Sequence, residues 1–215
     1  DNHPAPAATR RAWLGAAPRE RHDHFRTATL GPLMKVYPGD DLVPDANVTI
    51  DRWLPLAAPP DEVWPWLVQL GKRRAGWYLP RSVERCVPPS RRGARALVPA
   101  YQGLRVGDDV PDWGPGDPVF RVAVLSPGAV LGYLSLRDRN AGWRWPADGQ
   151  RGDGVLALSW TLRLVPVGDA RSTLHIRLRL VTAQRPWSPL LGRLGSAIDL
   201  LTIVLLHRGL SERLR

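Results

Sequence analysis

Residues 155–165 and 172–181, VLALSWTLRLV and STLHIRLRLV, limit the fold more than any other part of the chain. In the first, Leu156, Leu158, Trp160, Leu162 and Leu164 fall at every second position, with Ser159, Thr161 and Arg163 between them. In the second, Leu174, Ile176, Leu178 and Leu180 alternate with His175, Arg177 and Arg179. A period of two sends alternate side chains to opposite faces of a strand, so both segments predict strands with one apolar and one polar face. The turn material PVGDA lies between them and makes the pair a hairpin. Two-faced strands belong to an antiparallel sheet, because strands buried in a parallel sheet read as continuous apolar runs. The expected sheet has an apolar concave face and a solvated back. His175 falls on the back, which makes it a poor general base for an interior site.

The remaining periodicities build around this hairpin. NVTIDRWL (47–54), VFRVAVLS (119–126) and VLGYLSLR (130–137) read as further strands. Pro59, Pro60, Asp61 and Glu62 suit a helix start, since proline lacks an amide hydrogen and carboxylates favour the positive end of the helix dipole. Val63, Trp66, Leu67 and Leu70 then occupy one helical face, and Gly71 can end the helix. A short second helix is expected over PRSVERCV (80–87), and a long last one over about 188–213. Leu190, Leu191, Leu194, Ile198, Leu201 and Leu205 stripe that last helix, yet Leu200, Ile203, Leu206 and Leu210 make the rest of it apolar too. A helix apolar all round needs cover on two sides. The sheet covers one. The other is expected to meet the N-terminal extension first, then a second subunit in a homodimer, and last a membrane surface. That extension, residues 1–45, is rich in Pro, Ala and Arg, ends in the loop signal PGDDLVPD and precedes the domain proper at 46–215.

The formal net charge is +10, from 30 basic and 20 acidic residues, and the surplus is local. Residues 72–95 hold Lys72, Arg73, Arg74, Arg81, Arg85, Arg91, Arg92 and Arg95 against Glu84 alone. Lys72, Arg73, Arg74 and Arg81 form a candidate basic patch, read first as a solvated face whose arginine stems cover apolar surface. Nucleic acid is not expected as a partner, because these cations are not interleaved with strand-borne aromatics. The preference for arginine over lysine fits a GC-rich bacterial genome. Cys86, the single cysteine, excludes an internal disulfide or a cysteine metal cluster and is expected as a small buried hydrophobe. LLTIVLL (200–206) is far shorter than the roughly 20 residues that span a bilayer. A chain opening on Asp1 is expected to have lost an upstream segment, and the expected compartment is the cytoplasm.

PPDEVWPWLVQLGKRRAGWY, YQGLRVGDDVPD, FRVAVLSPGAVLGY and LSWTLRLVPVGDARSTLHIRLRL resemble, in sequence and order, bacterial members of the SRPBCC superfamily, which includes START domains and polyketide cyclase/dehydrase proteins. The resemblance runs from about residue 46 to 213. It implies an α+β helix-grip fold, a curved antiparallel sheet wrapped around the C-terminal helix, with an internal cavity for an apolar or polyketide-like ligand. The candidate ligand-binding residues are Trp77, Tyr78, Trp113, Tyr133, Trp143, Trp145 and Trp160, aromatics placed at the expected mouth, in loops or on strands. Asp199, a carboxylate inside an apolar helix, and Tyr78 are the candidate acid/base residues for an enzyme of the cyclase or dehydratase type. Carriage of a small apolar molecule is the first functional reading, that enzyme the second, and lipid binding at a membrane surface the third. No phosphate loop, dinucleotide fingerprint, nucleophile elbow or zinc spacing occurs, and no metal or cofactor is expected. His22, Asp23 and His24 of RHDHF are read as solvated.

Overall fold

Chain-distant strands close the sheet. In a computed structural model, which describes residues 36–114, 116–181 and 189–215, with backbone alone over 189–199, β1 (Val48–Leu56) pairs with β6 (Ser172–Leu180) at one edge. β5 (Val155–Pro166), β4 (Val130–Asp138), β3 (Val119–Ser126) and β2 (Asp109–Pro111) follow in that order, each antiparallel to its neighbour. The expected strands are all present. β2 was not anticipated, because three residues between Gly107 and Trp113 are too few to establish a period. The hairpin register sets Trp160 beside Leu178 and Leu162 beside Ile176, and β1 adds Ile50 and Arg52 to the same two rows. An irregularity between Val122 and Val124 shifts the β3–β4 register, and such bulges bend a sheet. Six antiparallel strands with a C-terminal helix form an α+β architecture consistent with a helix grip.

Two long helices cover the concave face. α1 (Pro60–Gln69) begins with a proline at its first turn and buries Val63, Trp66 and Leu67, with Leu70 as its C-terminal cap, as the spacing predicts. α3 (Pro189–Ser211) contributes Ile203, Leu206 and Leu210 to one core shared with Leu54, Leu162 and Leu174. The short α2 (Arg81–Glu84) spans half of its expected range, and Cys86 lies exposed in the turn beyond it rather than buried. Leu201 is 60% exposed, so among the described residues the outer side of α3 has no cover there.

The described part of the extension packs elsewhere, on the back of the sheet, and this corrects the expectation of a solvated face. Tyr37 lies over Arg177, whose guanidinium sits 4.6 Å from the ring centroid, and Asp40 forms an ion pair with Arg177, Oδ1 lying 2.8 Å from Nε. Arg179 donates to the Val43 carbonyl, and Val43 joins Leu136 and Ala157 in a second, smaller apolar cluster. His175 is therefore 2% exposed, stacked on Trp53 at 3.9 Å with Nε2 2.6 Å from Asp51 Oδ1. Alternation was read correctly from the sequence, but polar residues at every second place do not require water when a loop supplies their partners.

At its C-terminal end α3 crosses the Tyr78–Leu79 backbone at Gly209, where a Cβ would run into the Tyr78 carbonyl. Replacing Gly209 by Ala should destabilise the protein by about 1–3 kcal/mol, the usual cost of overpacking, read as a lower midpoint in urea. A second expectation concerns acid. Burial alone would raise the Asp51 pKa, but the hydrogen bond from His175 and the charge of Arg177 outweigh it and hold the group below its ordinary 3.8. Its contribution to stability is thus complete above pH 3.8 and is lost as pH falls through the depressed value. Asp51→Asn should flatten that acid limb of a stability–pH curve.

Candidate functional site: an aromatic cavity under the C-terminal helix

The concave face is not filled to its far end. A cavity of about 390 Å³ lies between the sheet, the loops after α1 and the helix α3, within the range of small-molecule sites. From the sheet come Ile50, Trp160, Ile176, Leu178, Phe120 and Tyr133. Leu70, Gly71 and Trp77 close one side, Val110, Pro111, Asp112 and Trp113 another, and Thr202 and Ile203 of α3 lie across the top. The aromatic rings form a continuous wall. Trp160 is stacked near-parallel with Tyr133 at 5.8 Å and with Trp77 at 6.0 Å, and Trp77 meets Trp113 edge-on at 6.2 Å.

Of the aromatics expected at the ligand, Trp77, Trp113, Tyr133 and Trp160 line this cavity, and Tyr78, Trp143 and Trp145 do not. Tyr78 is fully buried beneath α3. Its hydroxyl donates to the Trp66 carbonyl at 2.8 Å and Arg213 lies over its ring at 4.5 Å. Desolvation pushes its pKa well above the usual phenol value, and the residue is not part of the cavity lining. Consecutive residues of an extended segment point opposite ways, and this is why Trp77 faces the cavity and its neighbour the core. Trp145 packs under the back of the sheet with Arg121 over its ring at 4.2 Å, and Trp143 sits in a turn that hydrogen-bonds to Asp138. The inserted segment between β4 and β5 is thus folded away from the cavity. The side chain of Asp199 and the RHDHF segment lie outside the described residues. Among the described residues no group of His, Cys, Asp and Glu is placed to hold a metal ion.

Sequence reasoning passed over Arg52 and Asp112. Arg52 shares the concave row of Ile176, and the alternation Ile50, Arg52, Leu54 in β1 carries that signal. Asp112 follows the unanticipated β2. Its carboxylate accepts from Arg137 at 2.6 Å and from the Trp113 amide at 2.7 Å, so the negative charge is already neutralised within the wall.

Half of the expected basic patch is structural. Lys72 donates to the Asp112 carbonyl at 2.7 Å, which ties the loop after α1 to the cavity rim. Arg74 donates to the carbonyls of Val68 and Tyr101, and its guanidinium lies 5.2 Å from the Tyr101 ring centroid. Arg73 and Arg81 are exposed, and Arg73 adopts the left-handed conformation at φ 60°. Further along the same stretch Arg95 bonds Glu84 and Glu212.

No family model and no curated protein matches the chain. Among solved structures it is similar to a START superfamily protein from Mycobacterium smegmatis, at 12% identity and a TM-score of 0.42, covering 78% of this chain and 99% of that one. A second protein from Mycobacterium smegmatis overlaps at 14% identity and a TM-score of 0.45, covering 86% and 98%. One from Chromobacterium violaceum overlaps at 17% and 0.43, covering 76% and 95%. Overlaps this loose carry no argument about function, which has to come from the cavity. No helix among the described residues is long and apolar enough to cross a membrane.

Tyr78→Phe leaves the Trp66 carbonyl without its donor and should cost about 1 kcal/mol, or a fall of about 2–4 °C in melting temperature for a chain of this size, read by calorimetry.

Proposed function

We propose that this chain is a small hydrophobic-ligand-binding protein of the SRPBCC, START-like type, with residues 46–215 as the binding unit. The observation that supports the reading is the cavity itself, walled by Trp77, Phe120, Tyr133 and Trp160 and closed above by Ile203. Interiors are normally packed to crystal-like density, with few voids larger than a water molecule. A space of about 390 Å³ among aromatic and aliphatic side chains forfeits dispersion contacts that a bound molecule would restore. Retaining it is costly for stability and serves a ligand.

Carriage is favoured over cyclase or dehydratase chemistry by the state of the ionisable groups. Asp112 is paired with Arg137, and Tyr78 is bonded to a carbonyl outside the cavity. An acid/base catalyst needs a group within hydrogen-bond reach of its substrate and poised to exchange a proton; Asp112 and Tyr78 do not fill that role, and the side chain of Asp199 lies outside the described residues.

Fluorescence of N-phenyl-1-naphthylamine, a neutral dye that brightens in apolar surroundings, tests the reading. The dye should saturate at one equivalent. Ile203→Trp, which fills the roof of the cavity, should weaken it by at least about tenfold, equivalent to 1.4 kcal/mol. Leu201→Trp, on the exposed side of the same helix, should leave binding unchanged. Equal binding by all three proteins would place the dye elsewhere and overturn the proposal.

A further inference from the structure

A second concavity, of about 400 Å³, lies where the end of α3 meets the segment that opens α2. It shares no lining residue with the aromatic cavity. Spacings of three and four set Leu205, Arg208, Ser211 and Glu212 along one side of the last turns of α3, and Arg215 follows the helix. Pro80, Ser82 and Val83 face them from the α2 side. The lining is therefore mixed: Pro80, Val83 and Leu205 are apolar, while two serine hydroxyls and two guanidiniums are donors.

Charge in this groove is not balanced. The one carboxylate in its lining, that of Glu212, is already occupied, because Oε2 accepts from the Arg81 amide at 2.9 Å and from Arg95 Nη1 at 3.0 Å. Arg208 and Arg215 are exposed, and among the described residues neither side chain forms an ion pair or a hydrogen bond. Arg81, next to Ser82, is exposed too and has no ion pair among the described residues. Arg95 and Arg213 nearby differ, since both are matched by Glu84. Like charges gathered in a concave surface repel one another and draw anions to it.

The donors narrow the kind of anion. A guanidinium fork fits the oxygens of a carboxylate or a phosphate, and serine hydroxyls can donate to either. Two guanidiniums and two hydroxyls exceed what one carboxylate can use. A phosphate monoester brings a charge of about −1.5 to −2 at pH 7 and three acceptor oxygens. The apolar part of the lining would be left facing water by inorganic phosphate, and suits an ester group of its own polarity.

We propose that this groove is a second ligand site and binds a phosphate monoester with an apolar substituent, Arg208 and Arg215 holding the phosphate and Val83 and Leu205 the substituent. The site is separate from the aromatic cavity, and its fate does not depend on what that cavity binds.

Titration calorimetry of the full chain with hexyl phosphate at low ionic strength tests it, beside hexanoate and inorganic phosphate. Hexyl phosphate should bind at one equivalent and at least about threefold more tightly than either comparator, because only it uses both parts of the lining. The double variant Arg208→Gln/Arg215→Gln should weaken it at least about tenfold, the effect of losing charged hydrogen bonds. Its melting temperature should stay within about 2 °C of wild type, as exposed substitutions usually leave it. Ile203→Trp, which fills the roof of the other cavity, should leave hexyl phosphate binding unchanged. Co-sedimentation with phosphatidylcholine vesicles doped with phosphatidic acid, a monoester, or with phosphatidylglycerol, a diester, identifies the source of the phosphate. Capture by phosphatidic acid alone, lost in the double variant, supports a lipid headgroup, and hexyl phosphate binding without capture supports a soluble ester. No binding of hexyl phosphate, equal binding of hexanoate or inorganic phosphate, or affinity that survives in the double variant would overturn the inference. Loss of binding in Ile203→Trp would also overturn it, by placing the ester in the aromatic cavity.

Discussion

Arg213 is the residue on which the arrangement depends. It follows α3 by two positions, and its guanidinium, wholly buried, donates to Glu84 at 2.9 Å and to the carbonyls of Ala94 and Gly209 at 2.7 Å. Burying a guanidinium is tolerated only where charge and donors are both matched, and here a carboxylate and several carbonyls do so. Glu84 is shared with Arg95, which also reaches Glu212, so the end of α3, the short helix α2 and the arginine-rich loop form one network. Arg95, from the cation-rich stretch, thus acts within the fold as part of this network. The network holds the C-terminal end of α3 against the Trp77–Leu79 segment, and that placement brings Ile203 over the cavity.

With the helix fixed at that end, the core divides. Near Leu206 and Leu210 the space between helix and sheet is filled by Leu54, Leu67, Leu174 and Tyr78. Toward Thr202 and Ile203 the cavity opens and much of its wall is aromatic. Large flat rings in an offset stack do not close a gap as branched aliphatic side chains do. A cavity at one end and solid packing at the other therefore follow from where the aromatics and leucines lie along the same strands.

Much of this was readable in the residues. The alternation in β5 and β6 assigned Trp160, Ile176 and Leu178 to the concave face, and the spacing of Val63, Trp66, Leu67 and Leu70 assigned the first helix to the core. Two kinds of information were missing. Periodicity reports which face a side chain takes but not what covers that face, so His175 and Arg177 were expected in water and lie beneath Tyr37 and Asp40. A tryptophan in a loop has no period at all. Trp113 reached the cavity because a three-residue strand anchors it, while Trp143 and Trp145 belong to a turn bonded to the end of β4.

An open six-stranded sheet leaves backbone unpaired along two margins, and β2 forms one of them. This margin is only three residues long, contains Pro111, and carries the exposed pair Asp109 and Arg121 on its first rung. Such an edge offers too few amide and carbonyl groups to recruit a foreign strand, and its charges oppose dry contact. The shortness of β2 thus keeps this margin of the sheet from serving as a template for a further strand.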